Sequence, residues 1–254
     1  MEAAELGVSL NPDHTAEVEI RRGPNNFFDI DLIEALADTF ERLESEGCRA
    51  IVLCSEGRHF CAGADFSGSP TTRAPGAPHL YEAATRLFDG KVPIIAAVQG
   101  AAIGGGLGLA LVADFRIAAP EARFAANFAR LGFHHGFGLT ATLPPVIGQQ
   151  ATLDLLYTGR RVNGAEAAAI GLCDELVALD EVRPAAQARA ATIAASAPLA
   201  VASIRETMRG PLAAAVRVAV ARERAEQERL MTTDDWREGV AATADRRDPV
   251  FMGR

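Results

Sequence analysis

The chain has 254 residues, 49 % hydrophobic and 23 % charged, a composition that excludes a disordered polymer and predicts one large domain, or one plus a small appendage. Its net charge of −8 excludes a nucleic-acid binder working through a basic stripe, although a few local arginines and backbone amides still suffice for a small anion. The opening MEAAELGVSL carries acids where a signal peptide carries basic residues and has no long apolar run, so the expectation is a cytoplasmic protein without membrane insertion.

Val8 to Leu10, a turn at Asn11-Pro12-Asp13 and alternating Val18 and Ile20 predict a hairpin that Gly23-Pro24 ends. A helix capped by Asp29 or Asp31 follows, with Leu32, Ile33, Leu36, Phe40 and Leu43 on one face. The continuous apolar run Ala50 to Cys54 is the mark of a strand buried on both faces. Residues 55–78, rich in Gly, Ser, Pro and Thr, predict a long loop. Leu80, Ala84, Leu87 and Phe88 suggest a helix, and Val92 to Val98 a second buried strand; Gly100 to Gly108 then turn into a helix through Leu109, Leu111 and Val112. Further strands are expected at Asp114 to Ala118 and Arg123 to Ala126, and this alternation predicts an α/β fold.

Beyond Gly138 the expectation is almost wholly helical, with breaks at Gly148 and Gly159, a start signal at Asn163-x-x-Glu166 and one strand within Leu172 to Val177. Pro144-Pro145 predict a late start or a kink. Pro198 and Pro211 read as helix starters and Gly210 as a stop. The chain thus divides into an α/β core, residues 1–195, and a helical region, residues 196–254, that packs on the core or on a neighbouring subunit.

Two Gly-rich turns, each after a buried strand, carry the chemical signal: His59 to Phe66 and Gly100 to Gly108. Small residues let a ligand approach the main chain, and amides at a helix start carry partial positive charge. Two converging amides would stabilise the enolate-like oxygen of a thioester, one such donor being worth ~10²–10³ in rate. The competing reading of either turn is close helix–strand packing. No P-loop ending, GxGxxG register or GxSxG elbow fits these segments. The five histidines offer no HxxxH pair, and adjacent His134 and His135 are expected to diverge, so no metal is predicted. Cys48, Cys54, Cys61 and Cys173 form no CxxC pair and read as buried thiols.

Taken in order, Arg22 to Phe28, Phe60-Cys61-Ala62-Gly63-Ala64-Asp65, Pro93 to Gly100, Gly104-Gly105-Gly106 and Ala110-x-x-x-Asp114 resemble the enoyl-CoA hydratase/isomerase (crotonase) superfamily. The likeness continues through Tyr157 to Arg160, Ala167-x-x-x-Gly171-Leu172, Asp234 to Gly239 and Pro249 to Arg254, nearly the whole chain. It implies the crotonase (ClpP-like) fold of repeated ββα units, with a helical C-terminal trimerisation region and a homotrimer or dimer of trimers. It also implies lyase or isomerase activity of the fatty-acid-metabolism kind on an acyl-CoA thioester, with no permanently bound cofactor and coenzyme A arriving as part of the substrate. By that resemblance the oxyanion donors are the amides of Ala64 and Gly105, and Ala62, Ala64, Asp65 and Phe66 line the adenine end of CoA. Asp65 has an equal reading as a turn carboxylate.

Hydratases of this superfamily resemble one another in two proton-transferring glutamates, and the matching positions here are Gly108 and Phe128. Losing both groups, each worth ~10²–10⁴, argues against ordinary hydration. His135 and then His134 are the candidate replacement bases, in a stretch that runs along the acyl pocket of relatives; loop carbonyls or solvent are their alternative partners. Phe128, Phe133 and Phe137 suggest an aromatic wall or ordinary core. Tyr81, Glu82 and Arg86 lie on the helix that borders the acyl chamber in relatives, Glu82 being a distant second candidate base. His59, His79, Arg58 and Arg73 are candidate phosphate contacts. A non-catalytic acyl-CoA-binding protein and a carbon–carbon bond hydrolase using a histidine stand as the alternative functions, with a nucleotide-binding reductase more remote.

Overall fold

The computed structural model describes residues 5–64 and 80–254. Strand β1 (Leu6–Leu10) pairs antiparallel with β2 (Thr15–Ile20), the expected hairpin. Helix α1 (Ile30–Ser45) follows, its start fixed by the Asp29 carboxylate accepting from the Leu32 amide and its apolar face buried. Strand β3 (Ala50–Ser55) runs parallel to β2, and helix α2 (Leu80–Ala84) precedes β4 (Ile94–Val98), which runs parallel to β3. The chain then makes β5 (Ala101–Ile103), helix α3 (Gly105–Val112), β6 (Phe115–Ala118) and β7 (Arg123–Ala125).

Helices α4 (Leu139–Thr142), α5 (Pro144–Ile147) and α6 (Gln149–Thr158) come next, the break before α5 falling where the two prolines predict it. Strand β8 (Arg161–Asn163), helix α7 (Gly164–Ala169), β9 (Glu175–Leu176) and α8 (Val182–Ala194) lead into α9 (Pro198–Leu230) and α10 (Asp234–Asp245). The main sheet has the order β1-β2-β3-β4-β6-β9, parallel except for β1, while β5, β7 and β8 form a separate small sheet.

The main sheet is covered on both faces. Ile51 and Leu53 of β3 enter the larger core with α1 and α3, whereas Ala50, Val52 and Cys54 face α8 through Val182, Ala186, Ala190 and Ala194. Small residues every four positions let α8 lie close on the strands. All four cysteines are buried and free, and burial pushes the thiols of Cys54 and Cys61 up to about 12, so neither is a nucleophile at neutral pH.

Three expectations are corrected. Strands β5 and β8 replace parts of stretches read as turn or helix; each is three residues long, too short for a period-2 pattern. The strand expected across Leu172 to Val177 shortens to two residues. Helix α9 runs unbroken for 33 residues through Gly210 and Pro211. Packing overrides the local breakers there: before Pro211, Arg205 reaches Asp114 at 3.0 Å and Arg209 reaches the Val112 carbonyl at 2.7 Å, and after it Val216, Val220, Glu223 and Gln227 are buried. No described helix is long and apolar enough to cross a membrane.

Candidate active site

Two segments interlock to make the site. The Cys61 amide donates to the Ala101 carbonyl at 2.8 Å, and the Ile103 amide returns a bond to the Cys61 carbonyl at 3.0 Å. On its other side, residues 62–64 are held by the Ala62 amide donating to the Asn25 carbonyl and the Phe28 amide donating to the Gly63 carbonyl, each at 3.0 Å. Asn26, fully buried, ties the approach together: its side-chain nitrogen donates to the carbonyls of Glu56 and His59 at 2.9 and 2.7 Å. Gly63 and Gly104 both have positive φ, the conformations that turn each segment toward the same space.

The outcome is that Ala64 and Gly105 line one cavity of about 670 Å³. Neither amide donates to a protein acceptor among the described residues. Gly105 is the first residue of α3, so its N–H is one of the donors that a helix leaves unpaired, at the positive end of the helix dipole. A side chain at 105 would meet the Phe28 ring, with a Cβ 2.3 Å from Cζ, so glycine keeps this amide open. Ala62 lines the same cavity; Asp65 and Phe66, with Arg73 and His79, lie outside the described residues.

One part of the wall is aromatic, from Phe27, Phe28, Phe128 and Phe133 with Tyr81; polar character comes from Arg58, His59, Arg123, Arg161 and Asn127. His59 accepts at Nδ1 from the Ala101 amide at 3.4 Å, and burial, with the Arg58 charge, holds its pKa below the usual histidine value. The described lining contains no carboxylate. Glu82 is paired with Arg224, and Arg86 with Asp38 and Glu41, both away from the cavity wall. Helix α10 supplies Val240, Thr243 and Ala244, a contribution the sequence reading missed although the i, i+3, i+4 spacing on one helical face signals it.

Gly108, two residues beyond the glycine triplet, is closed as well as unreactive. A Cβ on Gly108 would lie 2.6 Å from Cβ and Cγ of Phe137, whose own φ is +62°. Phe137 is therefore not part of the cavity wall: it is buried, edge-on to Phe28 at 5.5 Å and to Tyr81 at 5.8 Å. Gly108→Glu alone is expected to overpack this spot and lower the urea midpoint, by about 1–3 kcal/mol of stability. In a Phe137→Ala background, itself destabilised by about 3–5 kcal/mol, the added cost of Gly108→Glu should shrink; an added cost as large as in the native background would deny the contact.

The two histidines do not join the amides in the cavity lining. Their side chains do not diverge as expected; the rings stack at 4.1 Å, made possible by the irregular backbone between Gly132 and Gly138. His134 Nδ1 is bonded to the His135 carbonyl at 2.7 Å. His135 Nε2 is 2.8 Å from Thr140 Oγ1, whose hydroxyl donates to Glu223 at 2.6 Å, so Nε2 carries the proton and Nδ1 is the acceptor. Glu223, fully buried on α9, also accepts from the amides of Gly138 and Thr140 at 2.8 and 2.9 Å.

Burial, with His134 alongside, pulls the His135 pKa down to about 4, outweighing Glu223 at 3.8 Å. The unfolded chain, titrating near 6.5, then binds more protons than the native state between these values. Stability should rise with pH through that window and fall as pH drops from about 6.5 to about 4, by up to about 3 kcal/mol. His135→Gln should flatten this part of the stability profile, measured by denaturant unfolding at each pH; an unchanged slope would rule it out.

Several known proteins share this arrangement of chain. The enoyl-CoA hydratase/isomerase family model matches residues 12–254. A carnitinyl-CoA dehydratase of Proteus mirabilis is 32 % identical over 247 residues, covering 94 % of this chain and 95 % of its own. Among solved structures, an enoyl-CoA hydratase/isomerase from Pseudoalteromonas atlantica T6c superposes with a TM-score of 0.89 at 30 % identity, covering 98 % of this chain and 100 % of its own. A carnitinyl-CoA hydratase from Mycobacterium avium gives 0.88 at 28 %, covering 99 % of each chain. The chain belongs to the enoyl-CoA hydratase/isomerase family, within the crotonase superfamily, and has the crotonase fold with a helical C-terminal region.

Proposed function

We propose that this protein is an acyl-CoA enzyme that holds a thioester carbonyl oxygen between the Ala64 and Gly105 amides and stabilises the enolate formed from it. The observation that carries this reading is the pair of amides on one cavity that meet no protein acceptor among the described residues, each set by glycine-dependent backbone. Coenzyme A enters as part of the substrate, with the Arg58 and His59 side of the cavity suited to its polar portion, and no resident cofactor is invoked. The CoA thioesters in the names of the family relatives support the same substrate class.

Ordinary hydration is disfavoured, because Gly108 faces Phe137 and Phe128 offers no proton. The reaction is therefore a lyase or isomerase step that uses the thioester clamp with another acid or base. A non-catalytic acyl-CoA binder is the second reading, favoured by the absence of a carboxylate from the described lining. A histidine-dependent carbon–carbon hydrolase fits less well, since His135 and His134 lie outside that lining.

Crotonyl-CoA and longer or aromatic enoyl-CoAs, followed by loss of the conjugated thioester absorbance with calorimetric binding in parallel, test the reading. Binding with turnover of at least one thioester is expected; binding without turnover of any would favour the binder, and no binding would remove the clamp. Residues 196–254 act in self-association under this proposal, as a homotrimer or dimer of trimers. Apolar side chains left exposed on α9, Leu199, Ile204, Met208 and Val218, support it, and sedimentation of a monomer at micromolar concentration would contradict it.

A further inference from the structure

Most arginines of this chain are paired with carboxylates, Arg22 with Asp29, Arg205 with Asp114 and Arg247 with Glu238 among them. Arg58, Arg123 and Arg161 are not: all three line the cavity that holds the two amides, and none has an ion pair among the described residues. The described lining contains no carboxylate, so one wall of an otherwise acidic protein is positive.

The small sheet builds that wall. Ala101 of β5 is level with Arg123 of β7, and Ala125 of β7 is level with Arg161 of β8. Side chains alternate across a sheet, so these four share one face with Ile103, while Ala102, Phe124 and Val162 are buried on the other. Gly100 brings Arg58 to the same place: a Cβ there would lie 2.0 Å from the Arg58 carbonyl oxygen, and the Gly100 carbonyl accepts from the Arg123 amide at 3.1 Å. One terminal nitrogen of Arg123 donates to the carbonyls of Pro120, Glu121 and Ala122 at 3.2, 2.7 and 2.8 Å, which fixes the guanidinium and leaves its other nitrogens for a ligand.

Arg58 and Arg123 also border a neighbouring cavity of about 580 Å³, whose lining includes the carboxylates of Glu19, Glu56, Glu121 and Asp180. None of these neutralises them. Glu19 is paired with Arg21 and Arg183, and Glu56 accepts from the Gly23 amide at 2.9 Å. Glu121 and Asp180 make no ion pair with either arginine.

Position along the strands says what an anion here belongs to. Arg123 is level with Ala101, four residues before Gly105, so its Cα lies roughly 10 Å from the clamp along the sheet, and the side chain reaches further. Coenzyme A carries its diphosphate at the end of a pantetheine arm that spans roughly 15 Å when extended, so an arm laid along β5 from the clamp ends among these arginines. A carboxylate on the acyl group would instead engage Arg161, level with Ile103 and nearest the clamp, without Arg58 and Arg123.

We propose that Arg58, Arg123 and Arg161 bind the phosphate groups of coenzyme A, so that the nucleotide end supplies much of the affinity and a bare pantetheine ester is a poor ligand. The assignment rests on the thioester reading above. Guanidinium forks offer paired N–H donors that match phosphate oxygens, which gives the site a geometry as well as a charge.

Calorimetry on the full protein with butyryl-CoA, S-butyryl-pantetheine, succinyl-CoA and free coenzyme A, each at low and high salt, gives the test. The native protein should bind butyryl-CoA ~10²-fold more tightly than the pantetheine ester, an advantage that shrinks as salt rises. Arg58→Gln, Arg123→Gln and Arg161→Gln should each weaken butyryl-CoA by ~10-fold and leave the pantetheine ester nearly unchanged. Arg58 and Arg161 make no side-chain hydrogen bond or ion pair in the described chain, so their replacement should leave the urea midpoint in place.

Equal affinity for the two butyryl esters, or variants that weaken both alike, would overturn the proposal. A loss in Arg161→Gln confined to succinyl-CoA would also overturn it, by assigning that arginine to an acyl carboxylate. Thioester binding that ignores all three substitutions removes the phosphate site and leaves the clamp intact. If free coenzyme A binds as tightly as butyryl-CoA and the variants weaken both, the phosphate site stands and the clamp loses its support.

Discussion

Replacing the Ala64 peptide N–H by an ester oxygen, through incorporation of lactic acid at that position, is expected to cut kcat on any thioester the native protein turns over by ~10²–10³. The side chain remains, while the Gly63 carbonyl becomes an ester carbonyl and a weaker acceptor for the Phe28 amide, so urea unfolding of the variant, measured beside kcat, separates that loss from loss of the donor. The proposed role makes the loss fall on kcat more than on KM, because the oxygen carries more charge in the enolate than in the ground-state thioester. The same replacement at Gly105 should have an effect of similar size, since its amide adds the helix-start dipole of α3. Full activity in both ester variants would remove the clamp from the mechanism, and an effect confined to KM would make it a ground-state binding contact.

Much of the fold is legible in the residues, for reasons that also explain where legibility stops. Strands β3 and β4 stand out because both their faces are covered, so the apolar runs Ala50 to Cys54 and Ile94 to Val98 are unbroken. Helix α1 stands out because its apolar stripe and its Asp29 cap agree. Strands β5 and β8 do not, since three residues carry no period and their pairing partners lie well away along the chain. The run through Gly210 and Pro211 is hidden for a different reason: the contacts that keep α9 straight through its breakers come from Asp114 and Val112, about 95 residues earlier.

The candidate site divides along the same line. Ala64 and Gly105 are legible because backbone donors need a local signature, glycine beside a buried strand. Their meeting at one cavity depends on the pairing of Cys61 with residues 101–103 and of residues 62–64 with residues 25–28, which the structure supplies. Tyr81 of α2 lines the same cavity, as its place on the helix that borders the acyl chamber in relatives implies, whereas Val240, Thr243 and Ala244 of α10 reach it from far along the chain. The histidines show the opposite case: an imidazole in a pocket-bordering stretch is easy to notice, yet Thr140 and Glu223 engage His135 away from the described cavity wall.

Gly106→Ala is expected to be the most damaging conservative substitution in the glycine triplet. A Cβ there would lie 2.1 Å from the Cys61 carbonyl oxygen and 2.9 Å from its carbon, and neither is the end of a flexible side chain. Relief requires the two backbone segments to part, which loosens the Ile103 amide's bond to that carbonyl and moves the Ala64 bend away from Gly105. Overpacking of a rigid core commonly costs 1–3 kcal/mol, and a backbone clash with an attached hydrogen bond should exceed about 3 kcal/mol. Gly105→Ala meets only the tip of the Phe28 ring, at 2.3 and 2.6 Å, and a ring can swing, so its stability cost should be smaller while the cavity it narrows loses thioester affinity. Urea unfolding of both variants beside calorimetry with a CoA thioester separates the two effects. Equal midpoints for Gly106→Ala and the native chain would mean that residues 61 and 106 are not in contact, and the shared cavity of the two amides would go with them.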